Sequence, residues 1–502
     1  MSSDFNFRFV FLVTSAFFSF VVVLFIDLMP APLGGYADQR VFLAAISGLL
    51  LLSATTSGLI GTRRSAAGYF VAAFPAFLVC SFFVLSSTPY LAQQGSLIEP
   101  AMYAFFLLAV VASALVLVDS GLAESYCYYT VCIIVATIVL YGLSTINIYI
   151  FALLDGVEEL SQFIPWGFVN IRYWSHIATW CLPLMPLALL VGPLKDNRLW
   201  RALVYLGAGL WWWILFLSTS RGSFLAILLG VTVVILLFGR RALPWLKLVL
   251  ACALIGAVFW LVLSMIIPSF IVSEATVRSI KIDGSGRMPL FTEAWAMSLQ
   301  NFPFGMGPQS WLTHEILTEE YRASPKFGHP HNMYLMWAAE YGWIMFAPII
   351  LLVAQAARYL HAAKRKAMAD EGSDSLFLLM GFTAAVIAAL VHAGLSAVFM
   401  APGSMLVGLF VLIAFWGLII PRRAVSKSEA YYVSCRRLPA ALSLCCLVLL
   451  AWGWWLKGVW QYYEAMREDE AYYQEYVKES YLPRFWFHGN FPRHPDQMPP
   501  SN

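Results

Sequence analysis

Apolar segments long enough to cross a lipid bilayer recur along almost the whole chain, and no other feature limits its fold so strongly. A transmembrane helix needs about 17–25 mostly apolar residues. Only 12% of the 502 residues are charged, whereas the charged fraction of a soluble domain is about 25%. The pattern therefore predicts an all-α polytopic membrane protein, surrounded by lipid rather than water over most of its surface.

Hydropathy places thirteen spans along the chain, so we expect about 12–13 transmembrane helices. They cover residues 9–29, 41–60, 68–86, 100–118, 126–150, 174–193, 202–218, 223–238, 248–267, 333–356, 376–399, 402–420 and 439–457. The first span follows Met1–Arg8 directly. It is too long for the core of a signal peptide and lacks a small-residue cleavage site, so we interpret it as the first membrane helix.

Lysine and arginine residues are divided unevenly between the two sets of loops. With the N-terminus inside, the loops after the even-numbered spans carry most of them, namely Arg63, Arg64, Lys195, Arg198, Arg201, Arg240, Arg241, Lys247, Arg358, Lys364, Arg365, Lys366, Arg422, Arg423, Lys427, Arg436 and Arg437. The opposite loops at 30–40, 87–99, 151–173 and 219–222 contain only Arg40, Arg172 and Arg221. By the positive-inside rule this asymmetry predicts a cytoplasmic N-terminus.

Two long segments are predicted on the outer side. A loop at 268–332 contains helix-like stretches at 287–301 and 308–322. A tail at 458–502 follows the last span; its part Trp460–Tyr481 has helical character, and its Pro-rich end is expected to be poorly ordered. No internal repeat of the kind common in transporters is apparent. We expect residues 1–457 to form one transmembrane domain that includes the 268–332 loop.

The cysteines point to packing rather than to a disulfide framework or a metal site. Seven of the eight fall in apolar spans, and Cys435 lies in a basic loop. None lies in the segments assigned to the outside, and no Cys-x-x-Cys or Cys/His spacing typical of zinc occurs. We therefore expect no metal and no cofactor. No P-loop or Rossmann motif is present either, and nucleic acid is not an expected partner.

His331 is the strongest candidate for acid–base chemistry. It occurs in His329-Pro330-His331-Asn332, immediately before an apolar run on the outer side. A helix N-terminus suits an anion such as phosphate, and nearby arginines would keep an imidazole neutral, as a general base must be. Two alternatives stay open. His331 can be an interfacial capping residue, and a zinc site with His329 is conceivable although no third ligand is evident.

Three arginines recur at outer helix ends. They are Arg172 in Asn170-Ile171-Arg172, Arg221 in Ser220-Arg221-Gly222, and Arg287 in Gly286-Arg287. Each one alone is more often a lipid anchor than a ligand. Together with His331 they form a set that matches a pyrophosphate, because arginine's planar fork pairs with phosphate oxygens. Glu340 and His392 fall within apolar spans, where ionisable groups mark function by default.

These motifs, in this order, make residues 160–420 similar to the O-antigen ligase and polymerase superfamily of bacterial envelopes. The resemblance rests on Gly167-Phe168-Val169-Asn170-Ile171-Arg172, Thr219-Ser220-Arg221-Gly222, Gly286-Arg287 followed by Pro303-Phe304-Gly305-Met306-Gly307, and His331-Asn332 with nine residues to Gly342. His392 and Pro402 also resemble the family pattern. The thirteenth span and the tail beyond it depart from the twelve helices usual for such ligases.

The resemblance implies a metal-independent, inverting glycosyltransferase in the bacterial inner membrane, with its active site facing the periplasm. The donor would be a glycan carried on undecaprenyl pyrophosphate. The matched positions assign His331 as the base and Arg172, Arg221 and Arg287 as pyrophosphate ligands. Supporting roles are expected for Asn332, His329, Asn170, Ser220 and His392.

The acceptor remains open at the level of sequence. Lipid A-core would make the protein an O-antigen ligase, which we rank first by a small margin. A second carrier-linked glycan would make it a polymerase, and a protein acceptor would make it a protein O-oligosaccharyltransferase. A protein of a different class, a transporter of lipid-linked anionic substrates, is the alternative hypothesis. A transporter is expected to have cations along a central path through the bilayer and internal repeats. A purely structural envelope protein would leave the histidine motif and the outer arginines without a role.

Overall fold

The computed structural model describes residues 3–30, 33–57, 66–86, 95–271, 286–370, 374–421, 427–477, 483–489 and 491. These residues are mostly helical and include no β-strand. The predicted all-α polytopic membrane fold is confirmed.

The described residues of the first half of the chain form nine helices: α1 Ser3–Leu24, α2 Tyr36–Ser57, α3 Ala66–Leu85, α4 Ile98–Ser120, α5 Ala123–Leu154, α6 Ile171–Cys181, α7 Arg198–Ser218, α8 Arg221–Phe238 and α9 Leu243–Leu261. The second half contains α10 Ile267–Ile271, α11 Met288–Gln300, α12 Ser310–Thr313, α13 Glu319–Arg322, α14 Met333–Tyr341, α15 Phe346–Ala369, α16 Asp374–Ala393, α17 Pro402–Ile419 and α18 Lys427–Tyr472. Short 3-10 turns lie at Ile26–Leu28, Leu160–Gln162, Met185–Leu189, Gly239–Ala242 and Trp343–Met345, and π-helical turns at Val262–Ile266 and Tyr473–Val477.

Ten helical stretches in the described parts of the chain are long and apolar enough to cross a membrane. One of them, Arg221–Ile271, contains both α8 and α9, and a shorter apolar helix covers Phe70–Leu85. Each of the thirteen predicted spans overlaps a described helix, but the sixth and the tenth are broken near their middle.

The sixth predicted span, 174–193, is wrong as a single helix. α6 ends at Cys181 after eleven residues and is followed by the 3-10 turn Met185–Leu189. Pro183 and Pro186 cause the break, because proline lacks the N–H donor that a helix interior needs. All residues from 173 to 189 are buried, so this broken segment lies in the protein core.

The tenth predicted span, 333–356, is also wrong in its position. Helix α14 ends at Tyr341, where Gly342 adopts φ 86° and ψ 164°, a conformation open mainly to glycine. The long apolar helix begins only at residue 343 and reaches Ala369. The His331 motif therefore precedes a nine-residue buried helix rather than a full membrane span.

The outer loop and the tail also differ in part from expectation. α11 coincides with the helix-like stretch 287–301, whereas the predicted helix 308–322 consists of two four-residue helices, α12 and α13. Residues 272–285 lie outside the described residues. The thirteenth predicted span lies within the 46-residue helix α18, which at 1.5 Å per residue is about 69 Å long and exceeds the bilayer core.

Residues 483–489 of the tail are packed against the bundle, where poor order was expected. Arg484, Phe485, Trp486 and His488 are buried. The Arg484 guanidinium donates to both Glu99 on α4 and Glu340 on α14. Two carboxylates in an apolar setting require a cationic partner, and the tail supplies it. Residues 478–482 and 492–502 lie outside the described residues.

The bundle has two polar ends, and helix α17 runs through its centre. α17 is buried along most of its length and packs on α1, α2, α4, α5, α6, α15 and α16. At one end, Asp374 accepts from the backbone N–H of Gly192 and faces Lys195. At the other end, which we call the site end, the segments predicted to lie outside meet: Arg172 contacts His331, and Arg287 bonds the carbonyl of Leu395.

Candidate active site

His331 is held in an unusual backbone conformation at the site end. Its φ of 57° lies in the left-handed region, which is strained for a residue with a β-carbon. Two hydrogen-bonded neighbours hold it there. The His331 N–H donates to Nδ1 of His329 over 3.1 Å. The Asn332 amide oxygen caps α14 by accepting from the N–H groups of Tyr334 and Leu335 at 3.0 and 3.1 Å.

Arg172 is placed against the His331 ring by the start of α6. Asn170 caps this helix by accepting from the Arg172 N–H at 2.8 Å. The Arg172 Nη1 then lies 3.4 Å from Nε2 of His331. Because guanidinium nitrogens only donate, this contact is a hydrogen bond only when Nε2 carries the lone pair. We therefore assign the proton of neutral His331 to Nδ1, an atom that has no hydrogen-bond partner among the described residues.

The surroundings of His331 keep its imidazole neutral. Burial, followed by the positive charges of Arg172 and Arg287 and by the neighbouring His176, lowers its pKa to about 3. Burial, followed by His331 and by Arg484, also holds the pKa of His329 well below its ordinary value. A neutral imidazole with a lone pair at Nε2 is the form that can accept a proton.

Arg221 begins helix α8 in the tight turn that the sequence predicts. Thr219 ends α7 with a left-handed φ of 49°. The hydroxyl of Ser220 bonds the hydroxyls of Ser175 on α6 and Ser223 on α8, at 3.1 and 2.9 Å. These bonds join the starts of two helices, and the Arg221 side chain is left exposed at the surface of the site end.

Arg287 immediately precedes helix α11 and spans the gap to the end of α16. Its Nη1 donates to the Leu395 carbonyl over 2.9 Å, whereas its buried Nε has no hydrogen-bond partner in the described parts of the chain. Burial lowers its pKa, and so do the charges of Arg172 and Arg221. The guanidinium of Arg287 is therefore close enough to those of Arg172 and Arg221 to be repelled by both.

This clustering of like charges favours an anion. The helices α6, α8, α11 and α14 all begin at or close to a member of the set, so the positive ends of four helix dipoles lie near it. An anion with several oxygens relieves the repulsion and meets donors of the right geometry.

His392 lies beneath this layer, inside the bundle. Its Nδ1 is 2.9 Å from the hydroxyl of Thr179, and its ring lies 5.0 Å from that of His176. A β-carbon on Gly222 would approach the His392 ring to 3.4 Å. His392 thus packs under the Arg221 turn, and its supporting role stays a prediction.

The Pro303-Phe304-Gly305-Met306-Gly307 motif holds the far end of α14. The N–H groups of Met306 and Gly307 donate to the carbonyls of Ala339 and Glu340 at 2.8 and 2.9 Å. These carbonyls would otherwise be unpaired at the helix C-terminus. Gly305 must be glycine here, because a β-carbon would lie 2.3 Å from the backbone of Glu340. The motif therefore fixes the helix that carries His331.

Sequence reasoning missed an ion-pair cluster behind the site. Arg484 from the tail bonds Glu99 and Glu340, and all three are almost fully buried. Glu340 is therefore an ion-pair partner. The one signal in the sequence was Glu340 within an apolar span, which implies a cation somewhere else in the chain.

The ligand set for zinc is incomplete in the part of the chain that the structure describes. No group of three or more His, Cys, Asp and Glu side chains there is arranged to hold a metal ion. In addition, Nδ1 of His329 is already occupied by the His331 N–H. The two histidines are better explained as a hydrogen-bonded pair than as ligands.

Comparison with family models now adds to this geometry. Residues 206–350 match the model described as O-antigen ligase. This part of the chain is therefore similar to the O-antigen ligase family. The matched O-antigen ligase region contains Arg221, Arg287 and His331, whereas Arg172, His392 and Arg484 lie outside it. Comparison with curated proteins found no significant match.

Proposed function

We propose that this protein is a metal-independent, inverting glycosyltransferase that moves a glycan from undecaprenyl pyrophosphate to an acceptor at the periplasmic face of the inner membrane. The similarity of residues 206–350 to the O-antigen ligase model supports a ligase-type transfer. The observation that carries the proposal is the contact of Arg172 with Nε2 of His331, next to Arg221 and Arg287. This contact places a neutral base, His331, directly beside a group of arginines that can bind a polyanion.

The proposed reaction is a single displacement at the anomeric carbon. The acceptor hydroxyl oxygen forms a bond to that carbon while its proton passes to Nε2 of His331. The bond from the anomeric carbon to the pyrophosphate oxygen breaks, and undecaprenyl pyrophosphate leaves with the electron pair. Attack opposite the leaving group inverts the configuration. Arg172, Arg221 and Arg287 stabilise the charge that develops on the leaving oxygen, a task that other enzymes assign to a metal ion.

Donor binding also prepares the base in this scheme. In the structure, Nε2 of the buried His331 accepts from Arg172, whose side chain is exposed. A pyrophosphate oxygen competes for the Arg172 guanidinium, because a hydrogen bond between two charged groups is stronger than one to a neutral imidazole. When Arg172 turns to the donor, the lone pair at Nε2 becomes available to the acceptor hydroxyl.

We rank lipid A-core first among acceptors, which makes the protein an O-antigen ligase. A carrier-linked glycan, as for a polymerase, and a protein, as for an O-oligosaccharyltransferase, fit the same chemistry. The transporter reading is weaker, because the described arginines of the set gather at one end of the bundle. Membrane lipids would surround the carrier chain during the reaction.

The test uses purified protein and an undecaprenyl-pyrophosphate oligosaccharide, with EDTA present. Lipid A-core, a second carrier-linked repeat and a pilin-like peptide are offered separately, and His331→Ala is the control. We expect transfer to one acceptor, lost in the variant and unaffected by EDTA. Transfer that needs a divalent ion, or that persists in His331→Ala, contradicts the mechanism. If no acceptor reacts, a lipid-transport assay tests the other class.

A further inference from the structure

Arg484 joins three parts of the molecule through one buried guanidinium. Its Nε and Nη2 donate to the two carboxylate oxygens of Glu99 at 3.2 and 3.1 Å. Its Nη2 also donates to both oxygens of Glu340 at 2.8 Å. Its Nη1 donates to the carbonyl of Gly328 at 3.1 Å. Only 1% of the Arg484 side chain is exposed, so these bonds are shielded from solvent.

Two of these partners flank the proposed base. Gly328 lies three residues before His331, and Glu340 lies nine residues after it, near the end of α14. Arg484 therefore ties down both ends of the segment 328–340, which we call the histidine segment. Its third partner, Glu99, belongs to α4 and provides the fixed wall.

The tail itself is clamped by residues remote from His331. The Arg40 guanidinium stacks 3.6 Å over the Phe485 ring and donates through Nε to the Phe485 carbonyl at 2.9 Å. The Tyr36 hydroxyl donates to the Arg484 carbonyl at 2.8 Å. Segment 483–489 is thus held by α2 and presents Arg484 to the histidine segment from behind.

Loss of the Arg484 charge has a defined physical consequence. Glu99 and Glu340 would remain buried without their shared cation. Removing one partner of a buried ion pair destabilises a protein far more than replacing the whole pair by apolar residues, because it leaves a buried charge unpaired. The two carboxylates repel each other, and the end of α14 must move away from α4. His331 sits in a strained left-handed conformation that persists only while its surroundings hold it.

We propose that the C-terminal segment 483–489 is a positioning element of the active site, and that Arg484 is the positioning residue which keeps His331 in its reactive orientation. This inference rests on the proposed function. Arg484 does not touch the substrate in this role. It acts through Gly328 and Glu340, and the tail thereby becomes part of the catalytic unit although it lies outside the family match.

The experiment compares full-length Arg484→Met, Arg484→Lys and Asp469→Asn proteins. Asp469→Asn is the matched control, because Asp469 bonds His488 of the same tail segment at 2.6 Å, whereas the bonds to Gly328 and Glu340 come from Arg484. Hydrogen–deuterium exchange of peptides covering 328–341 reports positioning directly. Steady-state transfer gives kcat and the KM for the lipid-linked donor.

For Arg484→Met we expect faster exchange over 328–341 and a kcat reduced about tenfold or more, since small misplacements of a catalytic group are costly. The donor KM should stay near the wild-type value, because the donor is bound by other arginines. Arg484→Lys, which keeps the charge, should fold and recover part of the kcat. Asp469→Asn should lower the melting temperature while kcat stays unchanged.

The proposal is overturned if Arg484→Met and Arg484→Lys keep wild-type exchange over 328–341, or if their kcat equals that of the wild type. It is also overturned if Asp469→Asn loses kcat to the same extent, because the effect would then reflect general stability. If Arg484→Met fails to fold, the lysine variant decides. Absence of transfer by the wild-type protein would refute the proposed reaction, whereas the exchange comparison would still decide whether the tail positions the histidine segment.

Discussion

At the scale of single residues, Arg172 has three separate effects on His331. It occupies Nε2 at 3.4 Å, it thereby selects the Nδ1-protonated form, and its charge lowers the imidazole pKa. Burial alone would give a neutral histidine but would not choose which nitrogen holds the lone pair. The arginine and the histidine therefore act as one unit, and their substitutions should not be additive.

Replacing His331 by asparagine should separate its chemical role from its backbone role. Asparagine tolerates the left-handed conformation better than most residues, so the loop should keep its shape. We expect kcat to fall by about 10²–10⁴, the contribution typical of a general base, with little change in melting temperature or donor KM. His331→Ala, which is less suited to φ 57°, should lose more stability. Retained activity in both variants would exclude His331 as the base.

The pH dependence of kcat/KM should reveal the lowered pKa of His331. The neutral form is active, so activity is lost as the pH falls through the free-enzyme pKa, which burial and two arginines lower to about 3. The profile should thus be flat across the range near pH 6.5 where an ordinary histidine titrates. In Arg172→Ala the acid limb should move upward, because one positive neighbour is gone. A limb near pH 6.5 in the wild type would contradict this environment.

Arg221 should contribute mainly to the transition state. We expect Arg221→Ala to lower kcat by about 10²–10³, equivalent to about 2.7–4 kcal/mol for a lost electrostatic contact. Arg221→Lys should recover part of this, since it keeps the charge but not the planar fork. Arg198→Ala is the matched control, because Arg198 is also exposed and also begins a helix, at the opposite end of the bundle. Equal losses in both variants would point to folding rather than catalysis.

At the scale of elements, helix caps place the site residues. Asn332 caps α14 next to His331, and Asn197 caps α7 at the opposite end by accepting from the Trp200 N–H at 3.0 Å. Replacing either by alanine should lower the free energy of unfolding by about 1 kcal/mol. Only Asn332→Ala should also lower kcat, because it releases the loop that holds His331. Thermal unfolding and transfer assays on both variants test this difference.

The helices were predictable from the sequence wherever a continuous apolar segment is also a continuous helix. Long apolar helices such as α5 and α17 are evident from composition, because every turn of the segment is apolar. Hydropathy measures the length of an apolar segment but does not detect a break in the helix. The predicted spans therefore merged α14 with α15 across Gly342 and extended α6 beyond Pro183. In both places a buried short helix is as apolar as a membrane span, and a single glycine or proline sets its end.

The site residues were predictable where a residue type departs from the pattern that membrane topology alone would give. Arg172 and Arg221 stand out because the short outer loops otherwise carry only Arg40, and Arg287 stands out through its Gly-Arg motif. His331 stands out through its motif. Arg484 does not, because an arginine in a Pro-rich tail resembles solvated sequence, and its two partners lie 385 and 144 residues away. Pairings of such separation are fixed by the fold and leave no local pattern.

At the scale of the whole molecule, the two ends of the bundle carry different groups of charged residues. The site end gathers Arg172, Arg287 and the buried Arg484 cluster. The opposite end carries exposed basic residues such as Arg198 and a contact between Lys195 and Asp374. A lipid-linked pyrophosphate approaches from one leaflet, so a site at one end fits this substrate, whereas a transporter needs a path to both.

Cysteine labelling should fix which end faces out. Glu158 and Asp196 are exposed acidic loop residues at the site end and the opposite end. In a background without native cysteines, Glu158→Cys should react with a membrane-impermeant maleimide on intact spheroplasts, and Asp196→Cys should react only after permeabilisation. The positive-inside rule requires this result, because the basic loops share the end of Asp196. The reverse pattern would place His331 in the cytoplasm, where nucleotide-activated sugars are available, and would remove the reason for a lipid-linked donor.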